Sequence, residues 1–254
     1  MKSRRLPTRL EKEPIVDAVC EIQLSSSVVF SQVMPGVLFS KLSGQKSISQ
    51  QPAAMIPADV RKHDPKLRYA PLTAIEWNGY TLSFSDHSLL IKCVLPYPRW
   101  DSYKAVIKEV VGIILDSGIV TSISRLSVKY VDLVAGEKPE DRVSNTSVIL
   151  SINDLNLENQ NFQTQMEVLD DEKDVVHIIN IAAPAHMHDQ DGQRVRIGTL
   201  ITTDSIKLFD NGNDLDKFRE SFDESLGYLH IENKKMFFSC LSDKGLETLG
   251  PIYE

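Results

Sequence analysis

The sequence has few cysteines and lacks the cysteine spacing that marks metal or redox chemistry. Its 254 residues include only 3 Cys, and these are far apart in the chain. Without a Cys-x-x-Cys pair, the sequence offers neither a paired zinc-ligand motif nor a dithiol redox motif. Because each cysteine lies among apolar residues, we expect all three thiols to be buried and reduced. They are Cys20, Cys93 and Cys240.

Glycine-rich loops, nucleophile motifs and long apolar runs are also missing. The chain contains no Gly-x-x-x-x-Gly-Lys-Ser/Thr phosphate loop and no Gly-x-Ser-x-Gly motif. No apolar run approaches the roughly 20 residues that span a bilayer, and the basic N-terminal stretch lacks the apolar block of a secretory signal. We therefore expect a cytoplasmic protein that is not an enzyme, with no cofactor and no membrane contact.

Charge is divided unevenly along the chain. Residues 1–150 carry 19 Lys and Arg against 15 Asp and Glu, whereas residues 151–254 carry 9 against 20. An acidic surface repels phosphate backbones and attracts basic proteins at encounter. The sequence therefore favours another protein as the partner, with a basic toxin or effector as one kind and a second copy of the chain as another. It argues against nucleic acid.

Apolar periodicity predicts an α+β fold. In residues 14–24 the even positions are apolar, a period of two that is typical of a strand with one face on a core. Residues 101–117 have apolar side chains at helical spacing, with Asp101 or Ser102 as the cap and Gly118 as the stop. Further strands are predicted at 73–95 (two strands around a turn at 85–88), 120–134, 146–152, 162–169, 175–183 and 194–209, and further helices at 35–42, at 214–240 and after Ser242.

The order of these elements predicts curved antiparallel sheets packed on helices, with a long C-terminal helix. Strands followed by a helix occur twice, which favours two similar β-rich halves. We expect residues 1–13 to form a basic flexible tail, 14–140 an N-terminal α+β half and 141–254 a C-terminal α+β half. The halves form either two domains or one continuous domain. Residues 43–70, rich in Ser, Gln, Pro and charge, are predicted to be a long loop.

One stretch, AHMHDQDG at residues 185–192, resembles a metal site. Hydrolases with an HxHxDH motif place an Asp two residues after the second His, whereas here an Asp follows it directly. Catalytic zinc usually takes three protein ligands from rigid elements, and the Asp-Gly pair favours a hairpin turn. We interpret the stretch as a turn and keep a small-ligand or metal-dependent hydrolytic function as the alternative. Its ligands would be His186, His188, Asp189 and Asp191. His177, inside a predicted strand, is interpreted as a structural histidine.

Two further segments are candidates for contact with a partner. Residues 96–101, PYPRWD, place two aromatic side chains and an arginine where the chain enters a helix. Tyr, Trp and Arg dominate binding hot spots, but the same composition also suits a staple that fixes the helix entry, and the sequence favours the staple. Residues 125–131 form a basic stripe on one strand face, which would pair with acidic residues of the second half or with a partner. The predicted contact residues are Tyr97, Arg99, Trp100, Arg125 and Lys129.

Four blocks together resemble a sporadically distributed family of uncharacterised bacterial proteins. Residues 14–24, PIVDAVCEIQL, resemble its PLVEAVFEIRF-like opening, and PYPRWD resembles its PYPGWE-like element. Residues 125–132, RLSVKYVD, are similar to its R-x-GLRY-x-N strand, and residues 237–247, FFSCLSDKGLE, are similar to its helix ending in F-x-x-x-LT-x-x-x-L. The sequence departs from the family at Ser127, Lys129 and Asp132, where Gly, Arg and Asn are usual. Lysine does not form the two parallel hydrogen bonds of an arginine, so a family role that needs a bidentate arginine at 129 does not carry over to this chain.

The resemblance implies an accessory protein of the kind found among mobile and defence-related genes. Such proteins include antitoxins, immunity factors and phage-defence components that bind and regulate a partner protein. It brings no established activity, substrate or catalytic residue. We therefore predict a non-enzymatic, protein-binding accessory factor.

Overall fold

A computed structural model of the chain describes residues 5–136, 138–149, 160–171, 173–188, 194–209 and 215–253. Within these ranges the fold is α+β, with antiparallel strand pairing and a C-terminal helix of 25 residues, as predicted. Of the helices in these ranges, none is both long enough and apolar enough to cross a membrane.

Single strands, groups of strands and helices follow one another along the chain. The strands are β1 (Arg9–Leu10), β2 (Ile15–Ser26), β3 (Lys46–Gln50), β4 (Thr73–Trp77), β5 (Tyr80–Phe84), β6 (Ser88–Cys93), β7 (Val120–Ala135), β8 (Phe162–Asp170), β9 (Val175–His188), β10 (Arg194–Leu208) and β11 (Pro251–Ile252). The helices are α1 (Phe30–Lys41), α2 (Ala58–His63), α3 (Trp100–Asp116), α4 (Pro139–Ser144), α5 (Leu215–Ser239) and α6 (Asp243–Thr248), with a 3-10 turn at Pro52–Met55.

The strand order reproduces the predicted repetition. Nine strands form one sheet in the order β3-β4-β5-β6-β2-β7-β10-β9-β8, and β1 pairs with β11 in a small second sheet. The chain forms two successive runs of elements, whose first strands, β2 and β7, are neighbours near the middle of the sheet. The last strands of the runs, β6 and β10, lie on either side of this pair. Each run, from β2 to α3 and from β7 to α5, begins with a strand and a helix and ends with strands and a helix, and the first run has α2 in addition between β3 and β4.

The chain divides into two compact units, each built from separate segments. Unit 1 comprises Met1–Val16, Lys129–Ser205 and His230–Glu254, and unit 2 comprises Asp17–Val128 and Ile206–Leu229. Each unit therefore draws on segments from both sides of residue 140.

The core of unit 2 follows the apolar periods of the sequence. Alternate residues of β2 from Ala18 to Leu24 are at most 3% exposed, as the period of two predicts. Residues 73–95 form three strands, so the prediction of two was wrong. The extra reversal lies at Asn78 and Gly79, whose positive φ angles of 47° and 80° give a tight turn between β4 and β5.

The starts of α1 and α3 in unit 2 differ from the predictions. Helix α1 begins at Phe30 and contains Pro35, which was expected near the first turn. Proline has no N–H, so the Ser31 carbonyl lacks its helical partner, and the Thr73 hydroxyl donates to it at 3.4 Å instead. In α3 the cap is Arg99, not Asp101 or Ser102, and its side chain makes no capping bond. Gly118 ends that region with a φ of 68°, as predicted.

Residues 43–70 are not the long loop that their composition suggested. They contain β3, the 3-10 turn and α2, and β3 pairs with β4 from Lys46 to Gln50. Four of the five β3 residues are exposed. A strand that buries so little of itself needs no apolar alternation, so its polar sequence was mistaken for a loop.

Within the predicted tail, residues 5–13 are described and include a strand of unit 1. Arg9 and Leu10 form β1, and the Thr8 N–H donates to the Ile252 carbonyl at 2.9 Å. Leu6 and Leu10 pack on an apolar cluster contributed by β7, β9, β10, α5 and α6. This burial and the strand pairing hold the segment in place.

The three cysteines are free and buried, which confirms the prediction. Burial raises the pKa of the Cys93 thiol to about 12 and that of the Cys240 thiol to about 11. Because the thiolate is the reactive form, neither thiol is set up as a nucleophile.

Gly198 in β10 tests how closely two backbones approach in unit 1. A Cβ at this position would overlap the Val134 carbonyl oxygen of β7 and lie 2.9 Å from its carbonyl carbon. We expect Gly198→Ala to lower the free energy of unfolding, measured by urea titration, by about 3 kcal/mol. As a control, a Cβ at Gly112 in α3 would meet no described atom within 4 Å. Gly112→Ala should therefore raise stability by about 1 kcal/mol, and equal losses in both variants would refute the packing argument.

Candidate functional site

The candidate contact segment is residues 94–100, which joins β6 to α3 in unit 2. Val94 is 51% exposed and Leu95 39% exposed. Arg99 is exposed, whereas Tyr97 and Trp100 are half-buried. The segment therefore combines apolar surface, two aromatic rings and one cation over seven residues.

A buried tyrosine anchors both aromatic rings of this segment. Tyr97 and Trp100 meet Tyr103 edge-on, with centroid distances of 6.1 Å and 6.3 Å. Each such aromatic pair contributes about 0.5–1.5 kcal/mol beyond its buried area. Tyr103 is fully buried, and its hydroxyl donates to the Ile91 carbonyl at 2.5 Å. Burial raises the pKa of this hydroxyl well above its usual value, so it stays a donor. These contacts support the staple interpretation of the segment.

Arg99, between the two anchored rings, has an uncommon backbone conformation. Its φ of 71° and ψ of 160° fall in a region that is almost restricted to glycine. Such a conformation costs about 1–3 kcal/mol and persists only where the surroundings impose it. Here the Arg99 carbonyl accepts the Tyr103 N–H at 3.1 Å, which begins the helix. In this conformation the Arg99 side chain is exposed.

The two basic residues predicted on β7 have different surroundings. Arg125 forms an ion pair with Glu21 of β2, with 3.6 Å between nitrogen and oxygen, and the two side chains are 22% and 18% exposed. Its acidic neighbour therefore comes from the first half of the chain and not from the acidic second half. Lys129 is exposed. Ser127, expected on the same face, is 1% exposed.

His186 and His188, two of the ligands in the alternative metal-site interpretation of residues 185–192, lie on a strand. Strand β9 continues to His188, five residues beyond the predicted end, so His186 and His188 are not in a turn. Both side chains are exposed, and their ring centroids are 6.4 Å apart. The other two predicted ligands, Asp189 and Asp191, lie outside the described residues. Among the residues that are described, no group of three His, Cys, Asp or Glu side chains could hold a metal ion.

Strands β9 and β10 and helix α5 bring polar side chains together inside unit 1. His177 Nδ1 lies 2.8 Å from the Ser205 hydroxyl oxygen. Thr203 donates to the Asn233 side-chain oxygen at 2.7 Å, and the Asn233 amide donates back to the Thr203 carbonyl at 2.9 Å. All four residues are at most 2% exposed. Burial lowers the pKa of His177, which favours its neutral form. Without access for a substrate, the Ser205 and His177 pair is structural, as predicted for this histidine.

Asp132 of β7 is a buried acid in the same unit. It is 3% exposed, and burial together with the negative charge of Glu13 raises the pKa of its carboxyl group well above its usual range. In the resembling family this position is usually Asn, which carries no charge to bury. A charged Asp132 carboxylate at this buried position therefore lowers the stability of the folded protein at neutral pH.

Sequence reasoning missed a cationic cavity formed by residues 58–72 and the turn at 85–88. Its lining includes Arg61, Lys62, Arg68 and His87. The segment was predicted as a loop of unassigned role, so its charges were not placed. The signal was present in residues 58–69, ADVRKHDPKLRY, where four Lys and Arg occur with only two Asp.

Asp132→Asn should stabilise the protein at pH 7. A carboxyl whose folded pKa is raised binds its proton more tightly in the folded state, so stability falls as pH rises through the folded pKa. Each pKa unit corresponds to about 1.4 kcal/mol. We expect the gain in unfolding free energy, measured in urea, to vanish below about pH 3.9, where both states are protonated. An equal gain at both pH values would contradict this cause.

Asp141→Asn is the matched control. The hydrogen bond from Lys244, 2.8 Å long, lowers the pKa of the exposed Asp141 carboxyl. Its contribution is present at neutral pH and is lost as pH falls through the lowered pKa, so this variant should be slightly less stable at pH 7.

Arg99→Gly should raise the free energy of unfolding, because glycine adopts this backbone conformation without strain. We expect a gain of about 1 kcal/mol after the greater entropy of the unfolded glycine chain is subtracted. Arg99→Ala keeps the Cβ and should show no such gain, so urea titrations of the two variants separate strain from charge. Equal stabilities of the glycine and alanine variants would show that residue 99 is not strained.

Comparisons of the chain with protein-family models, with curated proteins and with solved structures found no match. The resemblance to the sporadically distributed bacterial family therefore stays a prediction. The function has to be argued from the geometry of the described residues.

Proposed function

We propose that the protein is a non-enzymatic accessory factor that binds and regulates a partner protein through residues 94–100. One observation carries the proposal. Arg99 is kept exposed in a glycine-type backbone conformation, between two rings anchored on Tyr103. Strain of this kind clusters at functional sites, because a residue with no role would be replaced at no cost.

The composition of the segment suits a binding hot spot. Tyr, Trp and Arg are enriched at hot spots, and Val94 and Leu95 add exposed apolar area beside them. Because Tyr97 and Trp100 are already packed on Tyr103, little side-chain entropy is lost when a partner docks. The Arg99 guanidinium would donate hydrogen bonds to a carboxylate or a backbone carbonyl of the partner.

Charge points to the kind of partner. The chain has a formal net charge of −7, concentrated in residues 151–254. This charge would attract a basic protein at encounter, which fits a toxin or a defence effector whose activity is held in check. Arg125 is already paired with Glu21, so it is not part of the proposed contact. A second copy of the chain is the other candidate partner.

Partner capture with matched variants tests the proposal. The full-length tagged chain, produced in its own cells, should co-purify with one protein in stoichiometric amount. Arg99→Gly should lose that protein although it is the more stable variant, because the guanidinium is gone. Loss of a hot-spot side chain typically costs about 2 kcal/mol, a roughly 30-fold weaker Kd in a titration with the purified partner.

Arg219→Ala is the control. This arginine is also exposed in unit 2, where it pairs with Asp116 at 2.7 Å on the surface. The control should keep the partner and lose little stability, since exposed ion pairs contribute at most about 1 kcal/mol. Retention of the partner by Arg99→Gly would reject the contact surface, and a chain that purifies alone under all conditions would reject protein binding itself.

A further inference from the structure

Two neighbouring cavities of unit 2 share part of their lining. The smaller, of about 150 Å³, lies between residues 58–72 and the turn at Asp86 and His87. The larger, of about 580 Å³, lies between α1, β3 and the same segment. Arg61 and Leu72 line both cavities. A ligand could therefore place one end in each.

Arg61 is fixed at the junction of the two cavities. Its side chain is 16% exposed, lies 3.8 Å from the Asp86 carboxylate and donates to the Ile56 carbonyl. Asp86 in turn accepts a hydrogen bond of 2.5 Å from the Ser31 hydroxyl of α1. The guanidinium is thus held by Asp86, which Ser31 of α1 fixes in turn, and by the Ile56 carbonyl directly after the 3-10 turn. A cation fixed in this way needs no reorganisation to bind an anion.

The smaller cavity has an excess of positive charge. Its charged lining consists of three cations and one carboxylate, and His87 adds an imidazole. Asp86 balances one of the three cationic charges, so the lining keeps a net excess of two positive charges for an anionic ligand. Arginine and lysine side chains that converge on a small volume suit a phosphate or a carboxylate.

The larger cavity is lined mainly by uncharged side chains. Pro35, Ile48 and Ala54 contribute apolar surface, and Gln32 and Gln50 contribute amides. Ile48 is 51% exposed. The volume falls within the roughly 300–1,000 Å³ of pockets that hold small molecules. This cavity therefore fits the uncharged body of a ligand and not a second anion.

We infer that unit 2 binds a small molecule with one anionic head and an uncharged, partly apolar body. The head, a phosphate or a carboxylate, lies against Arg61, Lys62 and Arg68. The body extends past Leu72 into the cavity lined by Pro35 and Ile48. This site is separate from the contact segment 94–100, and it gives residues 43–70 a role.

Calorimetric titration of the purified full-length chain tests the inference with four probes. Hexyl phosphate and hexanoate carry the two candidate heads, inorganic phosphate has a head without a body, and hexanol has a body without a head. We expect one of the first two to bind at least about tenfold more tightly than inorganic phosphate or hexanol. The tighter of the two identifies the head.

Three variants assign the site. Arg68→Ala and Lys62→Ala should each weaken the preferred probe about tenfold, whereas Lys66→Ala, in the same segment but outside both linings, should not change its affinity. Ile48→Ser, which removes apolar surface without adding charge, should weaken the six-carbon probe and leave inorganic phosphate unchanged. Thermal melts of each variant confirm that the chain is folded.

Three results would overturn the inference. Hexanol binding as tightly as either charged probe would show that no anion is recognised. Equal weakening by Lys66→Ala and Arg68→Ala would show a general charge effect and no pocket. Absence of binding of all four probes at millimolar concentrations would exclude the site.

Discussion

The buried hydroxyl of Tyr103 is the contact on which the proposed binding surface depends. It joins α3 to β6 through the Ile91 carbonyl, and the same ring supports Tyr97, Trp100 and Tyr80. A buried tyrosine that finds an acceptor gains both its packing and its hydrogen bond, whereas an unpaired hydroxyl would cost free energy. Tyr97 and Trp100 pack on this ring on either side of Arg99, whose φ is 71°. The buried ring and the exposed cation therefore belong to the same short segment.

Much of the fold could be predicted because burial on one face imposes a period. The alternation of β2 and the helical spacing of α3 identified both elements, and the α+β class followed from their order. The start of α1 was missed because Thr73, 42 residues after Ser31, donates to the Ser31 carbonyl in place of the N–H that Pro35 lacks. The Asn78-Gly79 turn was missed although its dipeptide is a strong hairpin signal. Strand β3 was missed because it lies at the end of the sheet and is mostly exposed.

The candidate sites were less predictable than the fold, since they depend on contacts between distant parts of the chain. Composition was enough to select PYPRWD, because tyrosine, tryptophan and arginine are informative wherever they cluster. It could not show that Arg99 is strained, which requires backbone angles. Nor could it bring Arg61 to Asp86 and Asp86 to Ser31, which lie 25 and 55 residues apart in sequence. The pairing of Arg125 with Glu21 likewise depends on the neighbouring positions of β7 and β2 in the sheet.

The burial of all three native thiols has a practical consequence for spectroscopy. Maleimide and iodoacetamide reagents attack thiolates that solvent can reach, and Cys20, Cys93 and Cys240 are each at most 6% exposed. A single cysteine introduced on the surface would then carry a fluorophore or spin label alone, with no need to remove the native residues. A label beside Ile48 would report on the larger cavity, and a label beside Val94 would report on the contact segment. The rest of the chain would be unaltered in both cases.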